Sequence, residues 1–197
     1  MIEALGIPHP EVGCILVNGA LVDLCYRVQN DDTIVVFPLE GLVIEPCFLL
    51  DNHLGQLATY LRVLGFDTWY RNDYQDDELA DLVVREARIL LTRDRGLLMR
   101  SVVQHGYCLR SLIPRQQVIE VIQRFDLARY ISPFQRCLRC NTLLRPVEKQ
   151  TILPRLEPKT RLYYHEFSLC PSCDQIYWKG SHYDHMQELI RDFTNFG

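Results

Sequence analysis

The sequence lacks the long apolar segments that mark membrane proteins and secreted precursors. No apolar run reaches the roughly 18 residues that a transmembrane helix requires. The first residues, Met1-Ile2-Glu3-Ala4, contain neither the basic nor the apolar region of a signal peptide. Internal repeats and low-complexity stretches are also missing. We therefore expect a globular, cytoplasmic protein that does not associate with membranes.

The chain also lacks an overall excess of positive charge. Its formal net charge is −4, which argues against a protein that coats nucleic acid without specificity. An enzyme acting on RNA remains compatible with this value, because carboxylates that bind a metal ion make the total more negative. Between residues 136 and 179 the balance reverses, with eight basic residues against four acidic ones. This segment is either a surface for a polyanion or an ordinary solvated surface, and charge alone leaves both open.

The eight cysteines are not arranged as a disulfide framework. Four are scattered in apolar or strand-like segments, where cysteine usually behaves as a small core hydrophobe: Cys14, Cys25, Cys47 and Cys108. The other four form two CxxC pairs separated by 29 residues: Cys137 with Cys140, and Cys170 with Cys173. Two-residue spacing lets both thiolates of a pair reach one ion, and four thiolates complete a structural Zn²⁺ site. Two disulfides or a redox-active pair are the alternatives, but neither pair starts a helix after a strand, where redox motifs lie.

The chain divides into three segments of different pattern. Residues 1–41 read as the end of a helix followed by short strands, with a hairpin at Asn18-Gly19. Residues 47–132 alternate strands with helices, which predicts right-handed crossovers and a mostly parallel sheet. Residues 133–197 lose both periodicities around the cysteine pairs, as expected of a ribbon that folds around a metal ion. The predicted strands of the middle segment are 47–50, 66–70, 88–92 and 107–109, and its predicted helices are 54–64, 76–87, 97–103 and 118–122.

Acidic residues follow three successive predicted strands: Asp51, then Asp76 and Asp77, then Asp94. Since the carboxyl ends of parallel strands share one edge, where ligands bind, these carboxylates are expected to face the same edge. Carboxylates gathered in this way repel one another unless a cation lies between them. Mg²⁺ or Mn²⁺ there would activate water for phosphodiester hydrolysis, and Arg93 would meet the phosphate. The alternative is that each aspartate, standing before a predicted helix, is only an N-cap.

Several segments resemble one nuclease family. Residues 48–58 (FLLDNHLGQLA), 60–67 (YLRVLGFD) and 88–94 (RILLTRD) resemble the Mut-seven C-terminal RNase family, in which a PIN-like nuclease domain precedes a zinc ribbon. The cysteine-rich part is similar to the same family through residues 136–141 (RCLRCN), 170–173 (CPSC) and 177–182 (YWKGSH). The resemblance extends from residue 47 to about residue 190.

The resemblance implies a three-layer α/β ribonuclease domain with catalytic Mg²⁺ or Mn²⁺, a zinc ribbon that aids RNA binding, and RNA as substrate. Asp51, Asp94 and the Asp76/Asp77 position match the family's acidic positions, and which of Asp76 and Asp77 is the ligand stays open. A module that holds RNA or protein without catalysis is the competing hypothesis.

Other positions carry expectations about RNA binding. Arg62, in a matching motif, and Arg93 are the predicted substrate-binding residues. Gln56 stands where we expect a basic residue in this family, which would weaken one phosphate contact. The aromatic residues near the last cysteine pair either stack on unpaired bases or pack in the ribbon core, and we predict packing: Tyr177, Trp178 and His182.

Residues 1–41 resemble the latter part of a ubiquitin-like β-grasp domain that lacks its initial hairpin. The resemblance implies an exposed sheet edge that would pair with a protein partner or with a second copy of the chain. A further hypothesis makes this segment the working part, as a carrier-like element, although no Gly-Gly tail follows Pro38.

Overall fold

The computed structural model describes residues 2–39 and 46–194, without the side chains of Ser181, His182, Asp184, His185 and Thr194. The predicted role of the His182 side chain lies outside these described residues. Across the described ranges, no helix has the length and apolarity needed to cross a membrane. The chain builds an antiparallel N-terminal sheet, a parallel sheet between two helical layers, and a small antiparallel ribbon.

The N-terminal sheet confirms the predicted hairpin. Strand β1 (Val12–Val17) lies between β2 (Ala20–Val22) and β3 (Ile34–Pro38), antiparallel to both. The turn residues Asn18 and Gly19 have φ of 52° and 83°, the left-handed values that a tight hairpin turn of this type requires.

The predicted helix end at the N-terminus is wrong. This part of the chain forms two short 3₁₀ turns, Glu3–Leu5 and His9–Glu11. Gly6 and Pro8 interrupt the segment before a longer helix can propagate, since glycine is flexible and proline cannot donate a backbone hydrogen bond.

The middle segment forms the predicted parallel sheet, in the order β5-β4-β6-β7. Its strands are β4 (Cys47–Leu50), β5 (Asp67–Tyr70), β6 (Ile89–Thr92) and β7 (Gly106–Cys108). Its helices are α1 (Gly55–Val63), α2 (Asp76–Arg85), α3 (Arg95–Leu98) and α4 (Pro114–Arg124). Helix α3 is much shorter than predicted: it ends at Leu98, with Met99 as its C-cap, before the chain continues to β7.

Alternating strand residues divide the core between the two faces of the sheet. Phe48 and Leu50 pack with α1 and α4, whereas Leu49 of the same strand packs with α2 and α3. Continuous apolar strands are typical of a sheet buried on both faces. This is the three-layer α/β arrangement of PIN-like domains. The crossover after α1 turns at Gly65, where φ is 97° and a side chain would meet the carbonyl oxygen of Ser132 at 2.1 Å.

The C-terminal segment contains a three-stranded ribbon in the order β10-β9-β8. Its strands are β8 (Arg145–Val147), β9 (Phe167–Leu169) and β10 (Ile176–Trp178), and the short helices α5 (Lys149–Ile152) and α6 (Pro158–Tyr163) lie between β8 and β9. A small apolar core joins these elements: Ile152, Leu156, Phe167 and Ile176. The ribbon thus has its own core in addition to its cysteines.

Helix α7 (Ser181–Thr194) was not predicted. It returns to the α/β domain, where Leu189 and Phe193 join the core beside α1 and α4. The Phe193 ring lies 5.6 Å from that of Tyr60, centroid to centroid. Residues after 133 therefore do not form a separate body, because the last helix completes the core of the preceding domain.

Candidate functional site

The four paired cysteines converge on one point. Their Sγ atoms all lie within 4.8 Å of one another, with Cys137 Sγ 3.5 Å from Cys173 Sγ and Cys140 Sγ 3.3 Å from Cys170 Sγ. A zinc tetrahedron with bonds of about 2.3 Å has sulfur–sulfur edges of about 3.8 Å, whereas a disulfide requires about 2.05 Å. The donor set therefore fits a single Zn²⁺ ion rather than two disulfides.

Both cysteine pairs lie in turns of the same form. The residue after each pair, Asn141 or Asp174, has a left-handed φ of 70° or 61°, a conformation that Asn and Asp tolerate better than most residues. In each turn the first cysteine's carbonyl accepts the N–H of that residue, at 2.9 Å in the first and 3.0 Å in the second. This repetition brings the thiols of each pair onto the same side of their turn.

Arg62 fastens the ribbon to the α/β domain. Its side chain is buried, Nε donates to the carbonyl of Thr68 at 3.0 Å, and Nη1 donates to those of Leu138 and Arg139 at 2.9 and 3.1 Å. Burial lowers the pKa of Arg62, although the neighbouring cysteine thiolates oppose this change. The predicted substrate contact at Arg62 is wrong, because its guanidinium is engaged by backbone carbonyls and does not face solvent.

A second connection forms around Asp67 at the start of β5. Its Oδ1 accepts hydrogen bonds from Arg88 at 2.6 Å and from Asn141 at 3.0 Å, while Arg136 lies 3.4 Å from Oδ2. Burial alone would raise the pKa of Asp67, but the hydrogen bond and charge of Arg88 hold it below its ordinary value. Asn141 also accepts the N–H of Thr68 at 2.9 Å. The ribbon is thus attached where the strands begin.

The acidic edge lies at the other end of the strands. The strand order reverses between β4 and β6, and ligands of such sheets bind beyond the carboxyl ends of the strands at a switch point of this kind. Asp51 follows β4 and Asp94 follows β6. The hydroxyl of Thr92 connects them, donating to Asp51 Oδ2 at 2.6 Å and accepting the N–H of Asp94 at 2.9 Å.

The helix-cap alternative fits only one of these aspartates. Asp94 is the N-cap of α3, with Oδ1 accepting the N–H of Gly96 at 2.7 Å. Asp51 precedes α1 by four positions and makes no cap, its Oδ1 accepting the N–H of Asn52 at 2.6 Å. The N-cap of α2 is Gln75, so Asp76 and Asp77 lie in its first turn without capping it.

Asp76 and Asp77 face a cation rather than Asp51. Arg100 Nη1 lies 2.5 Å from Asp77 Oδ1, and Arg100 Nη2 lies 3.9 Å from Asp76 Oδ2. The hydrogen bond to Asp77 raises the pKa of Arg100, and Asp94 contributes to its electrostatic environment. Within the described ranges, only the cysteines form a compact group of three or more metal-ligating residues. The aspartates thus fall into two groups, Asp51 with Asp94 around Thr92 and Asp76 with Asp77 around Arg100.

Sequence reasoning missed two residues that organise this edge. Thr92 was visible as a polar residue ending an apolar strand, which is a weak signal for a role in a site. Arg100 carried no signal, since nothing along the chain indicates that it meets Asp76 and Asp77. The predicted phosphate contact Arg93 is exposed and has no ion pair among the described residues.

The acidic edge has oxygen chemistry suitable for a divalent cation. Mg²⁺ is commonly held by one or two carboxylates together with water and substrate phosphate. Asp51 and Asp94 supply two carboxylates, and the neighbouring Asn52 has a buried Oδ1 without a hydrogen-bond partner. An orphaned buried carbonyl oxygen is costly unless something binds it. These three residues fit such an ion, whereas Asp76 and Asp77 are occupied by Arg100.

A three-layer α/β domain, followed by a ribbon whose four cysteines fit a metal ion, is the architecture of a PIN-like protein. The chain belongs to the Mut7-C RNAse domain family, whose model matches residues 46–190. Residues 1–43 match the model described as Mut7-C ubiquitin. No curated protein and no solved structure matches the chain.

Proposed function

We propose that this chain is a metal-dependent ribonuclease that hydrolyses RNA phosphodiester bonds. The observation that carries the proposal is the placement of Asp51 and Asp94 at the topological switch point of the sheet, joined through Thr92. Membership of the Mut7-C RNAse family supports RNA as the substrate class.

In this proposal each residue at the acidic edge has a distinct task. Asp51 and Asp94 would hold Mg²⁺ or Mn²⁺, with Asn52 Oδ1 as an additional oxygen ligand. Such an ion, when bound, supplies a water of lowered pKa and stabilises charge on the phosphate. Thr92 fixes the orientation of the Asp51 carboxylate, and Arg93 binds a phosphate oxygen.

Asp76 and Asp77 would act indirectly, through Arg100, rather than as permanent ligands of the metal ion. By holding Arg100 beside Asp94 they place a cation where the substrate's phosphate has to lie. Of the two, Asp76 is the better candidate for a transient ligand, because its carboxylate is 3.9 Å from Arg100 and less exposed than that of Asp77.

The ribbon would contribute to RNA binding rather than to the chemistry. Its four thiolates leave no open position on a zinc ion, as in structural sites. The basic excess of residues 136–179 supports contact with a polyanion.

The test is cleavage of labelled single-stranded and structured RNAs with Mg²⁺, Mn²⁺ or neither ion. Asp51→Asn and Asp94→Asn are compared with Asp81→Asn, which changes an exposed carboxylate on α2 away from the edge. Asn replaces Asp well at an N-cap, so Asp94→Asn separates capping from chemistry. We expect metal-dependent cleavage that falls at least ~100-fold in the first two variants only.

The alternative function is a binding module without catalysis. The cap made by Asp94 and the pairing of Asp77 with Arg100 favour it, since both assign structural partners to these acids. Under this alternative no RNA is cleaved with any metal ion, and RNA affinity is the same in wild type and both edge variants.

We also propose that the N-terminal sheet docks a protein partner or a second copy of the chain. Nine of the 17 exposed large hydrophobic side chains lie in residues 2–39, and β3 pairs only with β1 in the part of the chain that the structure describes. Val35 on β3 is 44% exposed. Val35→Lys should abolish any concentration-dependent association seen by sedimentation velocity, whereas equal association in wild type and variant would exclude this sheet as the contact.

A further inference from the structure

A cleft of about 520 Å³ opens between the ribbon sheet, residues 133–138 and helix α7. Its volume lies within the roughly 300–1,000 Å³ usual for ligand sites. Its walls are mainly apolar and aromatic: Phe134, Leu138, Tyr177, Trp178, Tyr183 and Met186. We call this space the ribbon cleft, and neither the acidic edge nor the zinc cluster accounts for it.

Aromatic rings on two sides of the ribbon cleft offer flat surfaces. Trp178 ends the edge strand β10 and remains 40% exposed. Two further rings of the cleft, those of Phe134 and Tyr183, lie 4.3 Å apart, centroid to centroid, with 33° between their planes. Large, partly exposed rings are the surfaces on which bases of single strands stack. The ribbon cleft therefore suits a flat heterocycle.

Tyr177 has a different role in the same wall. Its hydroxyl accepts the N–H of Leu138 at 3.0 Å and lies 3.2 Å from Cys137 Sγ. Burial, reinforced by the adjacent Cys137 sulfur, raises the pKa of Tyr177. Tyr177 thus packs against the first cysteine turn, whereas Trp178, for which packing was also predicted, is 40% exposed. A metal ion bound to Cys137 would consequently fix the wall that contains Tyr177.

The polar groups of the cleft favour a base over an isolated anion. The side chains of Gln135, His165 and Ser168 line it and have no hydrogen-bond partner among the described residues. The cations in the lining are already paired, since Lys179 binds Glu166 at 2.7 Å and Arg136 binds backbone carbonyls and Asp67. The uncommitted groups are thus uncharged or weakly basic donors and acceptors of the kind that read base edges.

Two unpaired cations are sequence neighbours of residues that line the cleft. Arg139 and Arg145 are exposed, carry no ion pair in the part of the chain that is described, and adjoin the lining residues Leu138 and Leu144. Such cations suit the phosphates on either side of a bound base. The arrangement of aromatic floor, polar wall and basic rim matches single-stranded nucleic acid better than an apolar peptide, which would leave the rim cations unused.

We propose that the ribbon cleft binds an unpaired base of single-stranded RNA as an anchoring subsite, an inference that rests on the proposed ribonuclease function for its choice of ligand. The ribbon joins the sheet where the strands begin, and the acids lie where they end. Four-residue strands span about 13 Å, and stacked nucleotides rise about 3.4 Å each. For a stacked strand, a separation of this length corresponds to about four nucleotides between the anchored base and the cleaved bond.

The test measures binding of a fluorescein-labelled single-stranded 12-mer by anisotropy, in the zinc-loaded full chain carrying Asp51→Asn to prevent cleavage. Trp178→Ala is compared with Tyr163→Ala, which removes a 69% exposed ring on α6 outside the cleft. Loss of one stacked base costs about 1–3 kcal/mol, so we expect affinity to fall roughly 5- to 150-fold in Trp178→Ala alone. A 12-mer without bases should bind both proteins equally weakly.

A second pair of variants tests whether lost binding in Trp178→Ala reflects misfolding. This control is needed because the Trp178 ring lies 6.5 Å, centroid to centroid, from the ring of Phe167 in the ribbon core. His165→Ala and Gln135→Ala change exposed cleft residues, and each should weaken the same oligonucleotide while zinc content stays at one ion per chain. Unchanged affinity in all three cleft variants overturns the proposal, and so does equal binding of the oligonucleotide without bases. Cleft-dependent binding without cleavage by the wild-type chain would refute the nuclease and leave the subsite standing.

Discussion

At the scale of single residues, Thr92 shows how one hydroxyl joins two parts of a site. It is fully buried at the end of β6 and serves as donor to Asp51 and as acceptor for the backbone of Asp94. Asp51 is itself buried, at 9% exposure, so its carboxylate depends on such donors for its hydrogen bonds and orientation. Under the proposed function, a group of this kind positions a metal ligand without touching the substrate.

Thr92→Val should therefore weaken metal binding more than it weakens the fold. The substitution keeps the shape but leaves the buried carboxylate without one donor, which costs about 1–3 kcal/mol. We expect the Mn²⁺ concentration for half-maximal RNA cleavage to rise at least ~5-fold. Thr59→Val is the matched control, since its hydroxyl only binds the carbonyl of Gly55 within α1. Equal metal dependence in both variants would assign Thr92 a purely structural role.

At the scale of elements, the junction between α1, β5 and the first cysteine turn holds the two C-terminal units together. Arg62 binds carbonyls of the turn, and Asn141 of the turn binds both Asp67 and the backbone of Thr68. Arg88 is buried beside them and its guanidinium lies 3.9 Å from the centre of the Trp69 ring. A buried guanidinium of this kind depends on its carboxylate partner.

Asp67→Asn should destabilise the protein in a pH-dependent way. It leaves Arg88 without its anion, which we expect to cost about 2–3 kcal/mol, somewhat below the range for fully buried pairs because Asp67 is partly exposed. The folded-state pKa of Asp67 is depressed, so its contribution is present above the unfolded pKa and is lost as pH falls through the folded value. Urea unfolding should show the difference from wild type shrinking below about pH 4.

Asp73→Asn provides the control for this measurement. Asp73 pairs with Arg71, and both side chains are more than half exposed, so its loss should change the free energy of unfolding by less than about 1 kcal/mol. A pH-independent difference between Asp67→Asn and wild type would contradict the assigned role of Asp67.

At the scale of the whole molecule, we expect the four-cysteine cluster and the α/β core to support each other although they lie in different segments. The ribbon has a core of only four buried side chains, so a bound ion would supply much of its stability. Beyond the ribbon, α7 returns to pack Leu189 and Phe193 against the α/β core. Loss of zinc should therefore be felt on both sides of the junction.

Removal of zinc by a strong chelator should unfold the ribbon and lower the melting temperature of the remaining α/β domain. Without the first cysteine turn, Arg62 loses two of its three carbonyl partners. We expect the drop in Tm, followed by calorimetry, to reverse when one equivalent of Zn²⁺ is restored. Cys25→Ser, which changes an exposed cysteine remote from the cluster, should behave as wild type. A chelated protein with an unchanged Tm would show that the ribbon contributes nothing to the domain.

Much of the architecture could be predicted from the chain because it is encoded locally. Two-residue spacing brings paired thiols to one ion, the Asn18-Gly19 turn closes a hairpin, and alternating strand and helix periodicities require a parallel sheet. The shared edge of Asp51 and Asp94 followed from the same logic, since parallel topology places the ends of β4 and β6 side by side. None of these inferences needed a contact between distant side chains.

The tertiary structure alone decided how the charged residues are used. The sequence placed Arg62 in a matching motif, but its burial depends on Leu138 and Arg139, more than 70 positions away. Asp76 and Asp77 were predicted to join Asp51, yet the choice of Arg100 as their partner depends on where the chain turns after the short helix α3. Periodicity and spacing record only neighbours along the chain, whereas the partners of a buried or charged side chain are set by packing between elements remote in sequence.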